Sequence, residues 1–583
     1  MKKTKIVCTL GPACESDEVL EQMMYAGMDV ARLNFSHGTH ELHKERIDRF
    51  KKLREKLGTH TPLLLDTKGP EIRIKSFKNS SVTLEAGQSF TLCMYDTEGD
   101  ETKVSVTHTG LYKDITNGSR ILIDDGLIEL VAEKITDKEI LCRVINGGQV
   151  SDNKGVNVPG AHLSLEFLSE RDKADILFGI REDVDFIAAS FTQCADDILK
   201  IGHFLEHNNC HDILIIAKIE NAAGVANIDE ILSVADGIMV ARGDLGVEIP
   251  LEDIPVIQKS IISKAYSAGM PVITATQMLE SMTKNPRPTR AEITDVANAI
   301  YDGSSAIMLS GETAIGKYPV DAVKTMAKIA ERTESDINYR ERFSRLEQTG
   351  FKGVTTAVSH AACTTSLDLN AKAIIAVSKS GKTLRRISRF RPETVIVGCT
   401  PSKKTCRQLK LSWGVYPLMI EEKSNTDELF DHAVSTAREN GLVAFGDLAV
   451  LTAGTPLGVS GTTNMIKVVI IGDTLATGVG IGSGIVCGEL CVCKDDADAE
   501  KNFKSDTILV IPFTTNKIID TIRSAKGIIC EQSGEDSHAA IIGQALGIPV
   551  IVGARGATKI LRSGTAVTLD AKKGIVFNGN IYK

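Results

Sequence analysis

The chain has 583 residues, of which 43% are hydrophobic and 24% charged, with a formal net charge of −8. That length outgrows a single hydrophobic core and predicts about three to five domains; the acidic balance argues against a nucleic-acid partner, and no stretch is apolar for long enough to span a bilayer. Thirteen cysteines, odd in number and scattered through apolar runs, together with a start that lacks a signal-peptide core, predict a reducing, cytoplasmic setting.

From the amino terminus, short apolar runs alternate with helical patterns. Residues 5–10 read as a strand, followed by Gly-Pro and a helix capped by Ser16 and running to Ala26. Residues 29–33 lead into Asn-Phe-Ser-His-Gly and an amphipathic helix over 40–57; residues 62–65 lead into Asp-Thr-Lys-Gly-Pro-Glu-Ile-Arg. From about 74 to 158 the pattern changes to short alternating strands and turns such as Asp124-Asp125-Gly126, which predicts an all-β insertion on the third strand. The strand–helix alternation returns with a helix over 169–179 capped by Ser169, then strands at 185–190, 213–218, 237–241, 271–276 and 305–309. Eight such units predict a (β/α)8 TIM barrel, with its active site at the C-terminal strand ends.

The chemistry concentrates at two neighbouring strand ends. Residues 213–218 close on Lys218 and Glu220, and residues 237–241 on Arg242 and Asp244, with helical spacing across 223–235 between them. Parallel strands joined by a helix deliver both clusters to the same edge of the sheet. Two carboxylates there suit a hard divalent cation such as magnesium, which keeps its other positions for water and substrate oxygens, and a lysine two residues away adds a point charge. The alternative is a pair of buried salt bridges bracing the strand ends.

The motifs Lys-Ile-Val-Cys-Thr-Leu-Gly-Pro, Ala-Arg-Leu-Asn-Phe-Ser-His-Gly, Leu-Asp-Thr-Lys-Gly-Pro-Glu-Ile-Arg, Ala-Lys-Ile-Glu-Asn, Ala-Arg-Gly-Asp-Leu-Gly, Ala-Thr-Gln-Met-Leu-Glu-Ser-Met and Leu-Ser-Gly-Glu-Thr-Ala follow one another in order. In these the sequence resembles the pyruvate kinases over about residues 1–473. The resemblance implies a barrel formed by 1–69 and 166–340, a β-rich lid at 70–165, an α/β effector-binding domain at 341–473, a homotetramer, and transfer of the phosphoryl group of phosphoenolpyruvate to ADP, giving pyruvate and ATP. It makes Glu220 and Asp244 the magnesium (or manganese) ligands. Lys218 becomes the residue that stabilises the phosphoryl group in flight, and Arg32 the phosphate-binding arginine. Thr276 stands near the enolate carbon, and Gly243 with Asp244 contacts substrate. Asn34, Ser36, Asp66 and Thr67 match an all-oxygen potassium site, and Glu71 matches the potassium-dependent variant of its motif. His37, Arg73 and Lys154, with Asn34, match nucleotide contacts; Lys154 also reads as an ordinary solvated lysine.

In the α/β segment a strand at 371–378 runs into Lys-Ser-Gly-Lys-Thr and an arginine-rich helix. A Ser/Gly/Thr turn opening a helix is an anion site by geometry, and the resemblance places an activating phosphorylated metabolite on Ser378, Lys379, Ser380, Gly381 and Thr383. The alternative is plain helix capping by Thr383. Glycines 478, 480, 482 and 484 suggest a tight-turning lead into a separate domain at 474–583. There Gly-Glu-Asp-Ser-His-Ala resembles the phosphohistidine swivel domain of phosphoenolpyruvate-utilising enzymes, with Asp536 where threonine is usual. A carboxylate beside His538 would repel an incoming phosphoryl group, which favours a structural or regulatory domain. Cys487, Cys491 and Cys493 read as alternating strand residues, with a metal site as the alternative. Two other functions remain open: a phosphohistidine relay of the phosphoenolpyruvate synthase type through His538, and a non-catalytic metabolite sensor.

Overall fold

The eight apolar runs form eight parallel strands in this computed structural model, which describes residues 1–161, 163–347, 353–454 and 463–579. Lys5–Thr9 pairs with both Val30–Asn34 and Ala306–Leu309, so the sheet closes with no free edge. Between them follow Leu63–Asp66, Phe186–Ala189, Leu214–Ile219, Gly237–Ala241 and Val272–Ala275. Each strand is buried on both faces, which explains continuous apolar runs where a half-exposed strand would alternate. Val7, Val30, Leu64, Phe186, Ile216 and Met239 belong to one cluster inside the barrel, and a second cluster fills the space between strands and helices.

Two compact units contain the chain: Met1–His360 with Ala376–Glu422 and Gly454–Asn464, and Ala361–Ile375 with Lys423–Ala453 and Met465–Lys583. The first holds the barrel and the insertion. The insertion is a seven-stranded sheet with a two-stranded ribbon and its own core. Its turn after Arg120–Ile123 places Asp124 and Asp125 at φ of 56° and 54°, a conformation that aspartate tolerates better than most side chains. In the same unit the helix Lys403–Gln408 is bonded to the segment that opens the strand Phe186–Ala189. Arg407 donates to Asp185 and Asp183, each at 2.7 Å, and Lys404 donates to Asp183 at 2.7 Å.

The helix expected over 223–235 is two helices, Ala222–Ala226 and Ile228–Val234. The break falls at Asn227, whose side-chain amide donates to the Gln193 carbonyl at 2.9 Å. Asparagine competes with helix backbone in this way.

The second unit contains an eight-stranded mixed sheet that begins at Thr474–Thr477. Ile485–Val492, Ile508–Ile511, Gly527–Cys530 and Val550–Val552 run parallel at its centre. Three of the four spaced glycines, 478, 480 and 484, are here for close packing more than for turning. A Cβ at Gly478 would lie 2.4 Å from the Val552 carbonyl oxygen, and at Gly480 only 1.7 Å from that of Ala571. Gly482 alone of the four has positive φ, 86°, with open space around it. Cys491 and Cys493 alternate along Ile485–Val492 and its end, with sulfurs 3.9 Å apart and both buried. Cys487 and Cys491 lie within that strand and Cys493 just past its end, as the strand reading of these cysteines expects.

Overpacking against backbone costs about 1–3 kcal/mol or more, and an L-residue in the left-handed region about 1–2 kcal/mol. Gly480→Ala is therefore expected to lower the thermal midpoint of the C-terminal unit clearly further than Gly482→Ala, as calorimetry of the full chain would read.

Candidate active site

Four barrel strands end on a buried charge network. Asp66 closes Leu63–Asp66 with no exposed surface. Its Oδ2 accepts from Arg32 Nε at 2.6 Å, and its Oδ1 accepts from Lys218 Nζ at 2.9 Å. Lys218 Nζ also lies 3.0 Å from Glu220 Oε1 and donates to Ser190 Oγ at 2.7 Å. Arg32 spends one further N–H on Thr9 Oγ1, at 2.8 Å. The register explains the convergence: Arg32 pairs with Leu64, Asn34 with Asp66, and Ala188 with both Asp66 and Ile216. The ends of adjacent strands therefore reach one level.

The electrostatics follow from burial and sign. Burial opposes ionisation of Asp66, but Arg32 and Lys218 outweigh it and hold that carboxyl below its ordinary range. Burial likewise disfavours the Lys218 ammonium, and Asp66 with Glu220 more than restores it, so Lys218 stays charged. Burial pushes the Glu220 and Asp244 carboxyls up, with Lys218 opposing. Asp244 and Asp66 add to the rise at Glu220; Asp125, from the insertion, and Asp66 add to it at Asp244. A pair of crowded carboxylates starved of positive charge is a donor set for a hard dication, since the cation removes the cause of the rise.

Asp244 sits on the short helix Arg242–Glu248 that opens as its strand ends. The Gly243 amide, expected to face substrate, donates to Thr276 Oγ1 at 2.8 Å. Thr276 donates in turn to the Ala275 carbonyl at 2.6 Å. Thr276 and Gln277 have φ of 66° and 53°, strained for residues with side chains. Arg242 holds this turn: Nη2 donates to the Thr276 carbonyl at 2.6 Å, while Nη1 bonds both Asp295 oxygens at 2.8 and 2.7 Å.

Of the residues expected to hold potassium, Asn34 and Asp66 are register partners, and the Phe35 amide donates to the Asp66 carbonyl at 2.9 Å. Thr67 is buried beside Ser190, Ser36 donates its amide to Asn34 Oδ1 at 3.1 Å, and Glu71 is paired with Arg73 and Lys68. Arg73, Lys154 and Asp244 line one cavity of about 560 Å³ between insertion and barrel, together with Asn221 and Glu248. Lys154 is not a free surface lysine, for it pairs with Asp124 at 2.8 Å. His37 is exposed at the rim and accepts through its carbonyl from the His43 ring at 2.8 Å.

Sequence reasoning passed over Ser190, Thr9, the Arg242–Asp295 clamp and Phe191, whose amide donates to Glu220 Oε2 at 2.7 Å. Ser190 and Thr9 each stood at a strand end, the one signal that marked them.

Elsewhere, the turn expected to bind an effector is formed, with Gly381 at φ of 73° capping the helix Lys382–Arg389. Thr383 does not cap it; its hydroxyl meets that of Thr463. Lys379 pairs with Glu422 at 2.9 Å, and the Ser380 carbonyl accepts from Arg385 at 3.1 Å; Ser378 is half-buried. In the second unit His538 begins the helix His538–Leu546, capped by Ser537. Its Nδ1 faces the Thr514 hydroxyl at 2.8 Å and its Nε2 the Asn516 carboxamide oxygen at 2.9 Å.

Three family models match the chain: the pyruvate kinase barrel domain over residues 1–323, the pyruvate kinase alpha/beta domain over 356–469, and the mobile domain of PEP-utilising enzymes over 503–574. A pyruvate kinase of Staphylococcus haemolyticus is 49% identical over 581 residues, covering 99% of each chain. One of Sporosarcina psychrophila is 48% identical over 585 residues, covering 100% of this chain and 99% of its own. A crystal structure of a pyruvate kinase from Cryptosporidium parvum superposes with a TM-score of 0.76 at 39% identity, covering 81% of this chain and 96% of that one. A barrel that gathers Arg32, Lys218, Glu220 and Asp244 at its C-terminal strand ends, and relatives this similar along the whole length, place the chain in the pyruvate kinase family.

Proposed function

We infer that this enzyme moves the phosphoryl group of phosphoenolpyruvate to ADP, and that the observation carrying this is the Lys218 ammonium held between Asp66 and Glu220 at the same strand ends as Arg32. A phosphoryl group in transfer spreads its charge over its equatorial oxygens, so positioned cations do most of the work. Lys218 is a buried cation at the strand ends, beside the buried Arg32. Arg32, fixed by Asp66 and Thr9, has three N–H groups left for a substrate phosphate. Glu220 and Asp244 would hold magnesium (or manganese), and Asn34, Ser36, Asp66 and Thr67, all oxygen donors, would hold potassium; both ions would supply positive charge to the phosphoryl oxygens. The insertion lid would exclude water from the cavity that Arg73 and Lys154 line beside Asp244, where His37 and Asn34 complete the nucleotide contacts. The Thr276 proton is committed to the Ala275 carbonyl, so we assign Thr276 to orienting the site and a bound water to protonating the enolate.

Around this core we assign the barrel to 1–69 and 166–340, the lid to 70–165, an effector domain to 341–473 and a further domain to 474–583, in a cytoplasmic homotetramer. A phosphorylated metabolite on Ser378, Lys379, Ser380, Gly381 and Thr383 would regulate it. His538 stands outside the reaction in this reading. An Asn516 oxygen accepts only from Nε2–H, which leaves Nδ1 to accept the Thr514 hydroxyl, so neither ring nitrogen offers a free lone pair to a phosphoryl group.

In a coupled pyruvate assay, Lys218→Met is expected to lower kcat by roughly 100- to 1,000-fold, the cost of one lost charge-stabilising donor, and His538→Ala to leave the rate near normal. A relay through His538 would reverse the two. Replacing potassium by tetramethylammonium at fixed ionic strength should collapse the rate; an unchanged rate removes the monovalent site. Asp295→Ala, which frees the Arg242 clamp, should lower kcat about 10- to 100-fold through misplacement of the Thr276 turn, with phosphoenolpyruvate KM changed less.

A further inference from the structure

Away from the active site, three arginines of the first unit share a feature that folded proteins avoid. Arg385, Arg389 and Arg391 each carry a buried guanidinium nitrogen with no hydrogen-bond partner: Nη2 of Arg385, Nε of Arg389, and both Nε and Nη1 of Arg391. Arg391 is only 2% exposed. Its Nη2 donates to the Gly303 carbonyl and to Ser305 Oγ, each at 2.9 Å, and its guanidinium stacks between the rings of Trp413 and Tyr266 at 4.8 and 5.2 Å. Among the described residues none of the three forms a salt bridge. Asp236 is the carboxylate nearest in effect to Arg385, and it is already engaged by the Ile215 amide at 2.9 Å.

All three line one small cleft of about 20 Å³, walled also by Tyr266, Ser305 and Trp413. Burial lowers the proton affinity of each guanidinium, most at Arg391, yet arginine does not give up its proton inside proteins. Buried donors are met by a carboxylate, an ordered water or a bound anion; no carboxylate pairs with these three among the described residues, and the concentration of positive charge favours an anion over a neutral water. The Tyr266 hydroxyl, buried and unpartnered too, adds a fourth donor. A cleft of about 20 Å³ takes in one water-sized particle, which suits a halide and is too small to take in a whole phosphate ester.

We propose that Arg385, Arg389 and Arg391, with Tyr266, form a binding site for a single small inorganic anion of chloride size. The site would join two parts of the first unit. Arg385 and Arg389 lie on the helix Lys382–Arg389, and the other walls, Pro271 and Ser305, immediately precede the barrel strands Val272–Ala275 and Ala306–Leu309. The anion neutralises the charge that otherwise opposes docking of that helix on the barrel, so chloride stabilises the docked arrangement.

The test uses the full-length protein. Crystals grown in sodium bromide should show an anomalous peak in this space, and the thermal midpoint should rise in sodium chloride relative to sodium gluconate at equal ionic strength. Arg389→Met, half-exposed and away from the active site, should remove the chloride-specific rise, as should Arg391→Met if it folds. No peak in the space, a peak only elsewhere, or a midpoint indifferent to the choice of anion in the parent protein overturns the proposal.

Discussion

The site depends on Asp66 sharing its two oxygens between two cations that come from different strands. A buried arginine and a buried lysine would repel each other across the narrow barrel mouth, and neither would be stable there alone. One fully buried carboxylate between them, supported by the Ser190 hydroxyl at 3.1 Å, makes both affordable and fixes both in place. The carboxylate is itself held at the strand end by parallel pairing on both sides, with Val30–Asn34 and Phe186–Ala189. Barrel closure and charge placement are therefore one constraint seen at two scales.

The same network leaves an imbalance. Lys218 lies against two carboxylates, Asp66 and Glu220, while Glu220 and Asp244 have too little positive charge between them and are raised in consequence. The barrel thus surrounds its buried cations with opposite charge and leaves two of its anions short of it. That asymmetry suits a catalyst whose cations must already be placed when a phosphoryl group arrives. The β insertion contributes to it, because Asp125 raises Asp244 further from a turn whose aspartates sit at positive φ.

Most of the barrel was legible because parallel strands buried on both faces are written as unbroken apolar runs. All eight were placed, with ends one residue out at most positions: 185–190 against Phe186–Ala189, and 271–276 against Val272–Ala275. Strand-end residues carrying charge, such as Lys218 and Glu220, announced themselves for the same reason. The helix over 223–235 misled because its apolar spacing is helical throughout, and only the outward bond of Asn227 to Gln193 breaks it. The glycines at 478, 480 and 484 misled in another way. Sequence shows that a side chain is missing but not whether a turn or a neighbouring backbone requires its absence.

The residues that escaped notice act through geometry that no local pattern records. Arg242 is charged and sits at a strand end, so the sequence ranked it with the chemical groups. Its bonds go to Asp295 and to the Ala275 and Thr276 carbonyls, fifty-odd and thirty-odd residues away. It therefore holds a strained turn in shape. The contrast with Lys218, one strand earlier in the barrel, is instructive: both are cations at adjacent strand ends, but Arg242 has its donors filled by protein and Lys218 is held among groups that face the site. Which of two such cations does chemistry is decided by what remains unspent after folding, and that quantity exists only in three dimensions.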